Sequence, residues 1–147
     1  MSLATSVVTG VDFVTLPTRD LAAAQEFYGT VLGLRRSSVY QRGDTPAIGA
    51  EFETGSLTLS IVNSEAVNLK YRPNDHPIAF HVNDVEAARG ALEARGVTFG
   101  AETLDTGVCH MAFSRTPTAT RSCSTTAMRH ARLMTDEQRR INDAKAG

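Results

Sequence analysis

Apolar and polar residues alternate, then recur at helical spacing, and this succession occurs twice along the chain. Val11-Asp12-Phe13-Val14-Thr15-Leu16 is rich in β-forming residues and predicts a strand that ends at Pro17, which has no N–H for a ladder. Asp20 then stands as an N-cap. Behind it Leu21, Ala24, Phe27, Tyr28, Val31 and Leu32 fall on one face of a helix, and Gly33 supplies the left-handed residue that ends it. Three β-type runs follow: Leu34 to Tyr40, Ile48 to Thr54 and Leu57 to Val62. Gly43 and Pro46 mark the first turn between them, Gly55 and Ser56 the second.

Asn63 to Asp75 is polar, ends in Arg72-Pro73-Asn74-Asp75, and reads as a linker. The order then restarts. Ile78 to Val82 predicts a strand, and Asp84 caps a helix with apolar positions at Val85, Ala88, Ala91 and Leu92, closed by Gly96. Val97 to Gly100 and Val108 to Phe113 predict strands joined by a loop through Asp105, Thr106 and Gly107. The same order at half-chain spacing is an internal repeat, with a first module over 8–63, a linker over 64–75 and a second module over 76–113. After Phe113 alternation stops, so the second module is expected to lack its last strand. Thr135 to Ala146 has helix-favouring composition and a Thr135/Gln138 capping box but little apolar face, which predicts a frayed helix or disorder.

Bulk properties narrow the partners. A formal net charge of −1 over 147 residues argues against a polyanion binder, so no nucleic-acid partner is expected. No apolar run approaches membrane-spanning length and the start lacks a secretory pattern, so no membrane partner is expected either. Cys109 and Cys123 are too few for a disulfide framework. A reduced, cytoplasmic protein is the expectation.

The residues Leu16, Asp20-Leu21, Phe27-Tyr28 and Val31-Leu32-Gly33-Leu34 in the first module are echoed in the second. There the matching residues are Ile78-Ala79-Phe80, Val82, Asp84-Val85 and Leu92 through Gly96-Val97. This pattern, from about Val11 to Phe113, resembles the vicinal oxygen chelate superfamily, which includes glyoxalases, bleomycin-resistance proteins and extradiol dioxygenases. The resemblance implies an α+β fold of two βαβββ modules, forming a curved sheet around a cavity. It further implies metal ligands at the positions occupied here by Phe13 and Pro77, and on the last strand of a module. Neither Phe nor Pro carries a lone pair for a divalent ion, and no carboxylate lies between Ser56 and Val62. No metal or other cofactor is therefore expected, a divalent metal held by unusual ligands being the alternative. His76 lies one residue from the implied ligand position, on the opposite face unless the strand is bulged.

Strand alternation directs Ile78, Phe80 and Val82 to the helix, and Ala79 and His81 to the cavity. By the same rule Phe13 and Thr15 face the cavity. Glu51 and Glu53 share one face, which is either solvated or turned inward. Val108, His110 and Ala112 share a face opposite Cys109, Met111 and Phe113. The candidate ligand-binding residues are thus Phe13, Thr15, Glu51, His81 and His110, lining a largely apolar cavity with few polar anchors. The expected function is metal-free binding of a small organic molecule. The alternative is a metal-dependent lyase, isomerase or dioxygenase, or an enzyme with His81 as general base. Relatives commonly dimerise, so a homodimer is also an expectation.

The resemblance implies a Phe-x-Asp-Pro-Asp-Gly-Asn turn after the penultimate strand, and that turn is absent. Out of frame, the leading base pairs of the Thr116, Pro117, Thr118, Ala119 and Thr120 codons permit Asp, Pro, Asp, Gly and Asn. Beyond them Arg121 permits Ala, Ser122 through Ser124 permit apolar residues, and Thr125-Thr126 permit His-His. Residues from Ser114 onward are accordingly expected to be frameshifted relative to the parent family. Loss of the parental function is one consequence to be tested.

Overall fold

The computed structural model describes residues 6–73, 78–115 and 125–131. His76, Pro77 and the helix expected over Thr135 to Ala146 lie outside the described residues. The chain divides into two compact units, Met1–Asn74 and Asp75–Gly147.

In the first unit β1 (Phe13–Thr18) leads into α1 (Leu21–Gln25), then β2 (Arg35–Tyr40), β3 (Gly49–Glu53) and β4 (Thr58–Asn63). The sheet order is β1-β4-β3-β2, with β1 parallel to β4 and the other pairs antiparallel. β1 does not stop at Pro17 as expected but runs through it to Thr18. It lies at a sheet edge, where only alternate N–H groups face the partner strand and a missing donor is tolerated.

Helix α1 begins where the sequence places it, with the Asp20 carboxylate accepting from the Ala23 N–H at 2.9 Å. It then widens into a π-helical turn over Glu26–Val31, and Leu32 N–H reaches the Phe27 carbonyl at 2.9 Å. Gly33, with φ 74°, ends it. The wide turn lies directly on β3: a Cβ added at Gly29 would stand 3.3 Å from Phe52 Cε1. Phe27, Tyr28 and Phe52 form the centre of this core with Leu59 and Ile61, all buried. Phe27 meets Tyr28 edge-on at 5.1 Å, and Tyr28 lies 5.9 Å from Phe52. Burial pushes the Tyr28 phenol up to about 12, so it packs as a neutral ring.

The second unit contains β5 (Ile78–His81), α2 (Val85–Ala94), β6 (Leu104–Asp105), β7 (Cys109–Arg115) and β8 (Thr125–Ala131). Its sheet order, β5-β8-β7-β6, repeats that of the first unit, again with one parallel pair, β5 with β8. The N-cap recurs too, Asp84 accepting from Ala87 N–H at 3.0 Å, as does the terminating glycine, Gly96 with φ 88°.

Two expectations for this unit need correction. The last strand is not missing, because Thr125–Ala131 pairs with β5 on one side and β7 on the other. In this topology β5 and β7 are not neighbours, so both present open ladder groups to the gap between them. A segment entering there is held by backbone hydrogen bonds whatever its side-chain pattern. The strand expected over Val97 to Gly100 is reduced to one bridge, Phe99 with Ser114. The Val97 N–H is already committed to the Leu92 carbonyl at the helix end, at 3.0 Å.

Candidate functional site

The first sheet has one face closed by α1 and one face open. Leu16, Ala50, Phe52, Leu59 and Ile61 are buried on the helix side. By alternation the open side carries Phe13 and Thr15 from β1, Thr58 and Ser60 from β4, and Glu51 and Glu53 from β3. Registers join these residues into rows. Thr15 stands opposite Ser60, Ser60 opposite Glu51, and Glu51 opposite Ser38. In the next row Phe13, Thr58, Glu53 and Arg35 follow one another across the same strands.

Glu51 is the fixed point of this face. The Ser38 hydroxyl donates to Oε2 at 2.6 Å, and the Tyr40 phenol donates to Oε1. These donors, Ser38 foremost, hold the Glu51 carboxyl below the usual range, against a small desolvation effect. The reciprocal bond to Glu51 raises the Tyr40 phenol. A second carboxylate, Glu53, accepts from the Thr58 hydroxyl at 3.0 Å.

Sequence alternation did not reveal Ser38 and Tyr40, and the reason is a register shift in β2. Arg36 pairs with Phe52 and turns to the helix side, where its guanidinium donates to Gln25 Oε1 at 2.8 Å. Ser38 shares parity with Arg36 and would face the helix in a regular strand. The ladder slips between them, leaving Ser37 as the extra residue, and Ser38 pairs with Glu51 instead. Both Ser38 and Tyr40 are thereby turned to the open face. Gly49 completes the arrangement: a Cβ there would stand 3.3 Å from Tyr40 Cδ2, so the ring passes over bare backbone on its way to Glu51.

Of the sequence candidates, Phe13, Thr15 and Glu51 are brought onto one face. Phe13 is 60% exposed, a benzyl group with no electron pair to offer at a position where a metal-using relative would need one. Among the described residues no group of three or more His, Cys, Asp or Glu side chains is gathered as a metal site.

The two histidines of the second unit are separated. His81 and Ala79 are exposed on β5, while Ile78 and Phe80 are half-buried. Register sets Phe80 level with Met128 and Met128 level with Ala112, so Ala112 and, by alternation, His110 share the face of Phe80, opposite His81. His110 belongs to the β6–β7 turn. Its Nε2 lies 3.5 Å from Asp105 Oδ2, near enough for ion pairing when protonated but without hydrogen-bond geometry. The other Asp105 oxygen accepts from Gly107 N–H at 2.8 Å. Cys109 is buried in the same turn, its Sγ 3.2 Å from the Thr106 hydroxyl.

The sequence profile of the Glyoxalase/Bleomycin resistance protein/Dioxygenase superfamily matches residues 10–120. The chain belongs to this superfamily. Solved structures repeat the fold at low identity. TnmS3, an antibiotic binding protein from Streptomyces sp. CB03234, is 17% identical with a TM-score of 0.68, over 86% of this chain and 99% of that one. Lactoylglutathione lyase from Agrobacterium tumefaciens is 17% identical with a TM-score of 0.65, over 84% and 95%. A glyoxalase/bleomycin resistance protein/dioxygenase from Nocardioides is 20% identical with a TM-score of 0.66, over 86% of each chain. Comparison with curated protein sequences gives no match. The superfamily match stops at residue 120, ahead of β8, which starts at Thr125.

Proposed function

We propose that this superfamily member binds a small organic molecule on the open face of its first sheet, without a metal. The observation that carries this reading is the exposed Phe13 ring, on the same face as Thr15 and the immobilised Glu51 carboxylate. Aromatic side chains with a few fixed polar groups among them are the lining that small-ligand sites use. The fold alone does not choose between binding and catalysis, since similar structures include an antibiotic binding protein and a lyase. What favours binding is the side chain at position 13, which has no lone pair for a metal ion.

Elemental analysis of the purified chain, paired with a ligand screen by thermal shift, tests the proposal. The expected result is sub-stoichiometric divalent metal and a stabilising small molecule whose effect survives chelation. Stoichiometric metal whose removal abolishes ligand binding would overturn it.

A further inference from the structure

The charge on this face has a definite chemistry. Glu51 is held ionised by two neutral donors, Ser38 and Tyr40, each on a different carboxylate oxygen. A carboxylate offers about four acceptor sites, so roughly half remain open. Among the described residues Glu51 has no ion pair. The nearest cation by register, Arg35, stands opposite Glu53 rather than Glu51. The negative charge is thus fixed in direction and, among the described residues, has no ion-paired partner.

Apolar surface accompanies it. Tyr40 is 42% exposed and Phe13 60% exposed on the same face. Thr15 and Glu51 lie two strands apart, about 10 Å at ordinary strand spacing. Phe13 lies one further pair along β1 from Thr15. Between them the floor is Ser60, a small and buried side chain. The gap between a ring on one side and a carboxylate on the other suits a molecule with an aromatic body and a short arm.

We infer that the ligand of this face is an organic cation: a protonated amine joined by a short linker to an aromatic body, its N–H groups donated to Glu51 and its ring set against Phe13. This rests on the metal-free binding reading above and adds the ligand class. A cation gains a charge-assisted hydrogen bond and an aromatic neighbour, whereas a carboxylate of the same shape meets Glu51 with like charge, Glu53 being opposite Arg35.

The test uses the full chain, isotope-labelled, and three probes of similar shape: phenethylammonium, 2-phenylethanol and phenylacetate. Amide shifts at Thr15, Ser38 and Glu51 report binding. The expected result is that phenethylammonium moves these amides and binds at least about tenfold more tightly than 2-phenylethanol, with phenylacetate weakest. Glu51→Gln should abolish that preference, while Glu53→Gln leaves it within about twofold. Equal binding of 2-phenylethanol at the same amides overturns the cation inference and leaves the small-molecule reading standing. Failure of all three probes to move them overturns the cation inference, and the ligand screen described above then decides the small-molecule reading by itself. Loss of the preference in Glu53→Gln but not in Glu51→Gln overturns the assignment to Glu51. Should Glu51→Gln fail to fold, the comparison of probes on the unaltered chain decides the matter.

Discussion

Tyr40 donates its phenolic proton to Glu51 across the β2–β3 pair, passing over the bare backbone of Gly49. One partner is favoured as an anion and the other as a neutral phenol, so the bond ties stability to pH at both ends. The Glu51 carboxyl is lowered from 4.5, so its contribution is present above that value and is lost as pH falls through the folded-state value. The Tyr40 phenol is raised from 10.0, so its contribution is present below that value and is lost as pH rises through the folded-state value. Urea midpoints measured against pH should show both losses. Tyr40→Phe should flatten the alkaline limb, and Ser38→Ala should weaken the acid limb, because Ser38 is the larger cause of the Glu51 shift.

Asp20→Ala and Asp84→Ala should each destabilise the chain by about 1 kcal/mol, read as lower urea midpoints with unchanged slope. Each carboxylate satisfies one otherwise unmet N–H in the first turn of its helix, Ala23 in one case and Ala87 in the other. A cost near zero for either would mean that its helix start is held by something other than the cap.

Phe52→Ala should cost about 3–5 kcal/mol, since it removes a buried ring packed between Tyr28 and the backbone at Gly29. Phe13→Ala should change stability by no more than about 0.5 kcal/mol, because its ring is largely in solvent, and should weaken ligand binding. Equilibrium unfolding of the two variants side by side checks both statements. A large stability loss in Phe13→Ala would recast it as a packing residue.

How much of this was legible follows from where each feature's cause lies. The caps Asp20 and Asp84 and the stops Gly33 and Gly96 act within one or two turns, and all four occur where the sequence puts them. Alternation in β1 and β5 likewise reads directly: Phe13 and Thr15 lie opposite the buried Leu16, and His81 lies opposite the half-buried Phe80. Ser38 and Tyr40 were invisible because their facing depends on a slip in pairing with β3, a property of two strands rather than one. His110 was grouped with His81 in one cavity lining, but the register through β8 puts the two on opposite faces, a relation that only the pairing of β5, β8 and β7 decides. β8 escaped notice because Thr-Thr-Ala-Met-Arg-His-Ala has no alternation, and its place is set by the ladders on either side.

That same strand motivates a prediction about the gene. In the first unit β3 and β4 are joined by a tight turn in which Thr54 N–H reaches the Leu57 carbonyl at 3.1 Å. The corresponding connection runs from Arg115 to Thr125. Sequencing the coding DNA should show an Asp-Pro-Asp-Gly-Asn reading across the Thr116 to Thr120 codons in the adjacent frame. The chain made with that frame restored should unfold at a higher temperature than this one. A gene with no such reading in any frame would refute the frameshift.

The slip at Ser37 has a consequence for how such proteins diversify. With Arg36 kept opposite Phe52 and no extra residue, Ser37 and Val39 would occupy the places now filled by Ser38 and Tyr40. Loss of the Ser37 codon would instead relax the slip and keep both Ser38 and Tyr40 in place, so the extra residue and the clamp are separable: the phenol reaches Glu51 only while the ladder keeps Tyr40 opposite Gly49. Which side chains face the ligand side of β2 is therefore set by where the ladder slips as well as by which residues are present, and position-by-position comparison across the slip would misjudge which side chains correspond.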